Sequence, residues 1–85
     1  MNQTWDDYWK NFDQLCSMLT MNNKTKIETE LQKAKRYVNG LTDGWYDFLN
    51  AFTAIIDNNK KDLSTEEHQL AEFLLSSLKK SLNKV

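Results

Sequence analysis

The chain has 85 residues, of which 40% are hydrophobic and 27% charged, with a formal net charge of −1. That length makes one domain, burying roughly 60–65% of its unfolded surface, and the near-neutral balance supplies no global field for nucleic acid or an acidic membrane. Three Trp and an aromatic share of 12% argue against disorder, while no Pro and only two Gly point to helix throughout.

The first element is expected over residues 5–20. Thr4 with Asp7 three residues on resembles a capping box, and the acids suit the positive end of the helix dipole. Trp5, Tyr8, Trp9, Phe12, Leu15, Cys16 and Leu19 then fall in an arc of about 120° at helical spacing, with Met18 off the stripe. Met21-Asn22-Asn23 reads as a turn. The second helix is expected over 24–39, opened by Thr25 and Glu28 as a box or by Asn23 as a cap. Its stripe is Ile27, Leu31, Ala34, Tyr37, Val38 and Leu41, and Asn39-Gly40 forms a natural stop.

Thr42 is the expected cap of the third helix, over 43–57, whose stripe is Trp45, Phe48, Leu49, Phe52, Ile55 and Ile56. A polar loop follows, Asp57 to Asp62. Ser64-Thr65-Glu66-Glu67 is the clearest start signal in the chain: Ser64 caps, Glu67 reaches back, and Leu63 precedes as a hydrophobic staple. The fourth helix runs over 65–82 on Leu70, Ala71, Leu74, Leu75, Leu78 and Leu82, with Lys79, Lys80 and Lys84 at the end where cations suit the dipole. Short connections favour antiparallel neighbours. The expected fold is therefore all-α, one domain over 1–85, a small antiparallel four-helix bundle. The alternative is a three-helix bundle in which residues 24–56 form one helix bent near Gly40 and Gly44.

Catalytic equipment is sparse. His68 is the one histidine, on the polar side of the fourth helix with Glu72 a turn later, and a metal site would need further ligands. Cys16 sits in a core stripe, away from the base or positive charge that would activate it. The pairs Asp6-Asp7 and Glu66-Glu67 stand in first helical turns, where dipole compensation accounts for them. The loop from Asp57 has a faint likeness to a calcium loop, but Asp62 stands where Gly is wanted, His68 where a bidentate Glu is wanted, and Lys60 and Lys61 repel the ion. No cofactor, metal or enzymatic activity is expected.

Charge is segmented. The second helix is basic, with Lys24, Lys26, Lys33, Lys35 and Arg36 against Glu28 and Glu30, while the first and third are acidic. The lysines flank the apolar stripe on both sides, as snorkelling gives, rather than converging on one basic face. Nucleic-acid binding through this helix is therefore a minor reading. Attraction between the basic helix and its acidic neighbours is the better account of the pattern, at about 0–1 kcal/mol per exposed pair.

Three apolar side chains miss the core stripes: Met18, Tyr46 and Phe73, the last beside Ser77 and Lys80. Phe and Tyr are residue types that anchor interfaces. The candidate partner interface is therefore Phe73, Tyr46, Met18 and Lys80, although Phe73 would be core if the fourth helix lay between two neighbours. The single cysteine permits no internal disulfide. The opening residues carry neither a basic nor an apolar region of a signal peptide, and no apolar run reaches about 18 residues. A cytoplasmic protein without membrane insertion is expected. Ten Lys against Arg36 alone, with frequent Asn, suggest an AT-rich bacterial or phage coding sequence.

In size and form this Lys-rich bundle is similar to several groups of bacterial immunity and inhibitor proteins, without a shared motif. The functional expectation is a non-catalytic protein–protein interaction module, such as a small inhibitor, immunity or regulatory protein, acting on a protein partner. The alternative is a self-associating structural protein that closes a homodimer.

Overall fold

The computed structural model describes residues 5–38 and 42–82, with side chains for 6–38 and 44–82. Four α-helices are present: α1 (Trp5–Met21), α2 (Thr25–Lys35), α3 (Thr42–Asn58) and α4 (Thr65–Leu82), with a single 3₁₀ turn at Lys60–Asp62 before α4. The four-helix bundle is thus the observed architecture. The bent-helix alternative fails because α2 stops at Lys35 and a new helix begins at Thr42. None of the described helices is long and apolar enough to cross a membrane.

α1 packs beside α2 and α4, and α3 beside the same two, so the helices form a ring in chain order. The α1–α3 diagonal is filled by rings. Phe12 meets Phe48 and Phe52 at 5.8 Å centroid distance, and Trp9 stacks on Trp45 at 5.7 Å. Phe12, Phe48 and Phe52 are fully buried, together with Leu15, Leu19, Leu31, Ile56, Leu74 and Leu78. These are the stripe residues of four amphipathic helices, each turned to a shared axis.

The helix ends show how local chemistry sets the connections. α1 closes with Lys24 N–H donating to Leu19 O (2.7 Å) and Asn23 N–H to Thr20 O (3.1 Å), while Asn23 takes φ 63°. This is a Schellman closure, with Asn in the left-handed position. Asn23 therefore ends α1 rather than capping α2. Nor does the Thr25–Glu28 box form, since Thr25 is already helical and Lys24, the flanking residue, makes no side-chain cap bond.

α2 ends four residues earlier than its apolar periodicity suggests. Arg36, Tyr37 and Val38 donate to Lys33, Ala34 and Lys35, three residues back, which tightens the last turn into 3₁₀ geometry. That geometry shifts side-chain azimuths, so Val38 packs on the core while Tyr37, expected in the stripe, is 50% exposed. The expected Thr4 cap, the Asn39-Gly40 stop, Leu41 and Lys84 lie outside the described residues. Thr42, the expected cap, is itself the first residue of α3.

The Ser64 box forms as expected: Glu67 N–H donates to Ser64 Oγ (3.1 Å) and Ser64 N–H to Glu67 Oε1 (2.8 Å). Leu63 packs on the core in front of it.

Candidate functional site

The candidate interface residues do not form one patch. Phe73 lies on the outer face of α4 and is 51% exposed, so its alternative placement in the core does not hold. Lys80, two turns further along α4, is exposed on the same face, as are Gln69 and Ser76. Tyr46 is 41% exposed, but its hydroxyl donates to Leu82 O at 3.2 Å and so ties the start of α3 to the end of α4. Leu82 is nine residues from Phe73, about half a rotation around the helix and about 13 Å along it. Tyr46 therefore docks on a side of α4 turned away from Phe73. Met18 is half-buried on α1.

Two further exposed hydrophobics escape the stripe analysis, Tyr37 and Met21, the latter 82% exposed at the end of α1. Tyr37 would have been found had the tightened end of α2 been anticipated. Periodicity carries no such signal, because it assumes one pitch throughout.

Between α1 and α2 runs a solvent-open groove of about 500 Å³, lined by Asp13, Cys16, Ser17, Thr20, Met21, Glu28 and Gln32. The Cys16 thiol is buried at its wall, where Gln32 Nε2 donates to Sγ at 3.4 Å. Burial pushes this thiol up to about 11, and the carboxylates of Glu28 and Asp13 add to the rise. A thiol so placed is a poor nucleophile at neutral pH. His68 Nε2 faces Glu72 Oε2 at 3.6 Å, too long for a hydrogen bond, and has no hydrogen-bond partner although the atom is enclosed. Among the described residues, no three His, Cys, Asp or Glu side chains converge in a metal-binding arrangement.

The most concentrated polar site is one that the sequence shows only in part. Glu67 is fully buried. Beyond its capping bond, Oε1 accepts from Lys24 Nζ at 2.6 Å and Oε2 accepts from Asn22 Nδ2 at 2.5 Å. Burial pushes its carboxyl up, but the bonds from Lys24, Ser64 and Asn22 and the Lys24 charge outweigh this and hold it below the usual carboxylate range. Glu66-Glu67 is thus more than dipole compensation. Glu67 clamps the α1–α2 turn to the start of α4.

The basic helix is also used differently from expectation. α2 does lie beside the acidic α1 and α3. Two cations of the expected basic helix meet other partners, however: Lys24, just before α2, pairs with Glu67, and Lys35 Nζ lies 4.7 Å from the centroid of the Trp9 ring. No close ion pair to the acids of α1 or α3 occurs among the described residues.

Comparison with protein-family models, with curated proteins and with solved structures gives no match for this chain.

Proposed function

We propose that this protein is a non-catalytic binding module that engages another protein through the outer face of α4, with Phe73 as its anchor. The observation that carries this reading is Phe73 itself, a large aromatic side chain half-exposed at mid-helix among Gln69, Ser76 and Lys80. An aromatic surrounded by polar neighbours is the composition of an interface hot spot and its rim. The Cys16 thiol is in keeping with this reading: it is buried and raised, which makes it a poor nucleophile at neutral pH.

Within this proposal the chain acts as a small inhibitor, immunity or regulatory protein of bacterial or phage origin, in keeping with its Lys- and Asn-rich composition. A buried free thiol fits a reducing compartment, and the proposal places the protein in the cytoplasm.

The test compares proteins retained from host extract by the wild type and by Phe73→Asp and Tyr46→Phe, each first shown to be as helical as the parent. Loss of a retained protein with Phe73→Asp and its persistence with Tyr46→Phe supports the proposal. Equal retention by Phe73→Asp sinks it. Sedimentation velocity across micromolar concentrations tests the homodimer: an assembly that dissociates when Phe73 becomes Asp assigns the same face to self-association.

A further inference from the structure

We propose that Glu67 is a charge-dependent latch: ionised, it closes one end of the bundle, and when neutralised it releases the α1–α2 turn while the rest of the bundle stays folded. Three donors from two connections meet on this side chain. Asn22 and Lys24 come from the turn after α1, and Ser64 from the residue preceding α4. Lys24 also flanks the start of α2, so the latch holds the entry to that helix.

The hydrogen-bond inventory makes the latch sensitive to charge. Lys24 Nζ, Asn22 Nδ2 and Ser64 N–H are all donors, distributed over both carboxylate oxygens. An ionised carboxylate satisfies all three as an acceptor. A protonated one carries an O–H: on Oε1 that proton would point at the Lys24 and Ser64 donors, and on Oε2 it would require the Asn22 amide to turn its oxygen inward. Protonation therefore rearranges these bonds and removes the charge that faces Lys24, at a carboxyl that is itself fully buried.

Lys24 is the charged group that reaches Glu67 from the turn. On α4 itself the neighbouring His68 faces Glu72, and from α3 and the 3₁₀ turn no charged side chain bonds Glu67 among the described residues. The carboxyl is held below its ordinary range, so the ionised state is fully populated at neutral pH and release comes only in acid, as the pH falls through the folded-state value.

Release stays local for a structural reason. α2 is held to the core by Ile27, Leu31 and Ala34, all of which follow the turn, so loss of the latch frees the turn and the entry to α2 while that anchorage stays. The turn before it makes its backbone bonds only to the last residues of α1 and the first of α2. The aromatic packing of Phe12, Phe48 and Phe52 involves none of the latch groups.

Amide hydrogen exchange, read residue by residue as protection factors from pH 7 to pH 3, tests the latch. The Glu67 carboxyl carbon shift, followed in the same samples, marks its titration. Protection at the Asn23, Lys24 and Glu28 amides, which donate the backbone bonds of the turn and the entry to α2, is expected to fall roughly tenfold to a hundredfold as Glu67 titrates, with Phe12 and Phe52 amides unchanged. Glu67→Gln should show the weakened turn already at pH 7, because its neutral amide removes the charge facing Lys24 and offers one acceptor oxygen in place of two. Lys24→Gln keeps the carboxylate but should move release to higher pH. If Glu67→Gln does not fold, the wild-type and Lys24→Gln series decide the matter alone. Turn amides that keep their protection through the titration of Glu67 overturn the proposal. So does loss of protection at the turn and the aromatic core together.

Discussion

The two ends of this bundle are closed by different physics. Where α1 and α3 begin and α2 ends, Trp9 stacks on Trp45, and Lys35 lies over the Trp9 ring. Where α1 and α3 end and α4 begins, a buried carboxylate gathers donors from two connections. Aromatic closure is a sum of many weak and weakly directional contacts, insensitive to pH and tolerant of small shifts. Carboxylate closure is directional and depends on one charge. Removing Lys24 or Asn22 leaves the buried Glu67 carboxylate short of a bond. The bundle thus combines an end that resists perturbation by redundancy with an end that a single proton can disturb.

Substitutions at the two ends should separate these mechanisms. Phe12→Ala empties a fully buried ring site that touches Trp9, Phe48 and Phe52, and urea denaturation should show a loss of about 3–5 kcal/mol, the largest effect here. Lys24→Met should cost about 1–3 kcal/mol by the same assay. It leaves the Glu67 carboxylate buried with only Asn22 and Ser64, although Lys24 itself is partly solvated. Tyr8→Phe removes a buried bond from the hydroxyl to Leu74 O at 3.1 Å, between α1 and α4, and should cost about 1 kcal/mol. Phe73→Ala should change stability by no more than about 0.5 kcal/mol, because its ring contributes little to the packed interior. A large loss there would place Phe73 in the core and remove the anchor of the proposed interface.

The aromatic end was legible in the sequence, because burial writes itself as a 3.6-residue rhythm. Trp9, Phe12, Phe48 and Phe52 sit where that rhythm puts them, and so does the bundle built on them. The capping half of the Glu67 site was legible too, as Ser64 and Glu67 are three residues apart. Its other half was not. Asn22 and Lys24 lie more than forty positions away from Glu67, and no local pattern announces that a cap residue is also the partner of a distant turn.

The same limit explains the errors about α2. Its apolar spacing runs on through Tyr37, but the backbone tightens after Lys35 and turns that ring outward. Asn23 was ambiguous for a related reason: Asn suits both a helix start and a left-handed helix end. For Phe73, the angular position was readable, but which sides of α4 its neighbours would cover depended on the assembled ring of helices.

The most direct test is the stability deficit of Glu67→Gln and of Phe12→Ala, each measured against the wild type at a series of pH values from 7 to 3. The Glu67 carboxyl is lowered in the folded state, so its ionised form stabilises the wild type above the unfolded carboxylate range, and that contribution is lost as the pH falls through the folded value. The Glu67→Gln deficit should therefore shrink in acid, while the Phe12→Ala deficit stays constant. A Glu67→Gln deficit that holds steady to pH 3, or a Phe12→Ala deficit that shrinks alongside it, would contradict the division of the bundle into a charge-closed and an aromatic-closed end.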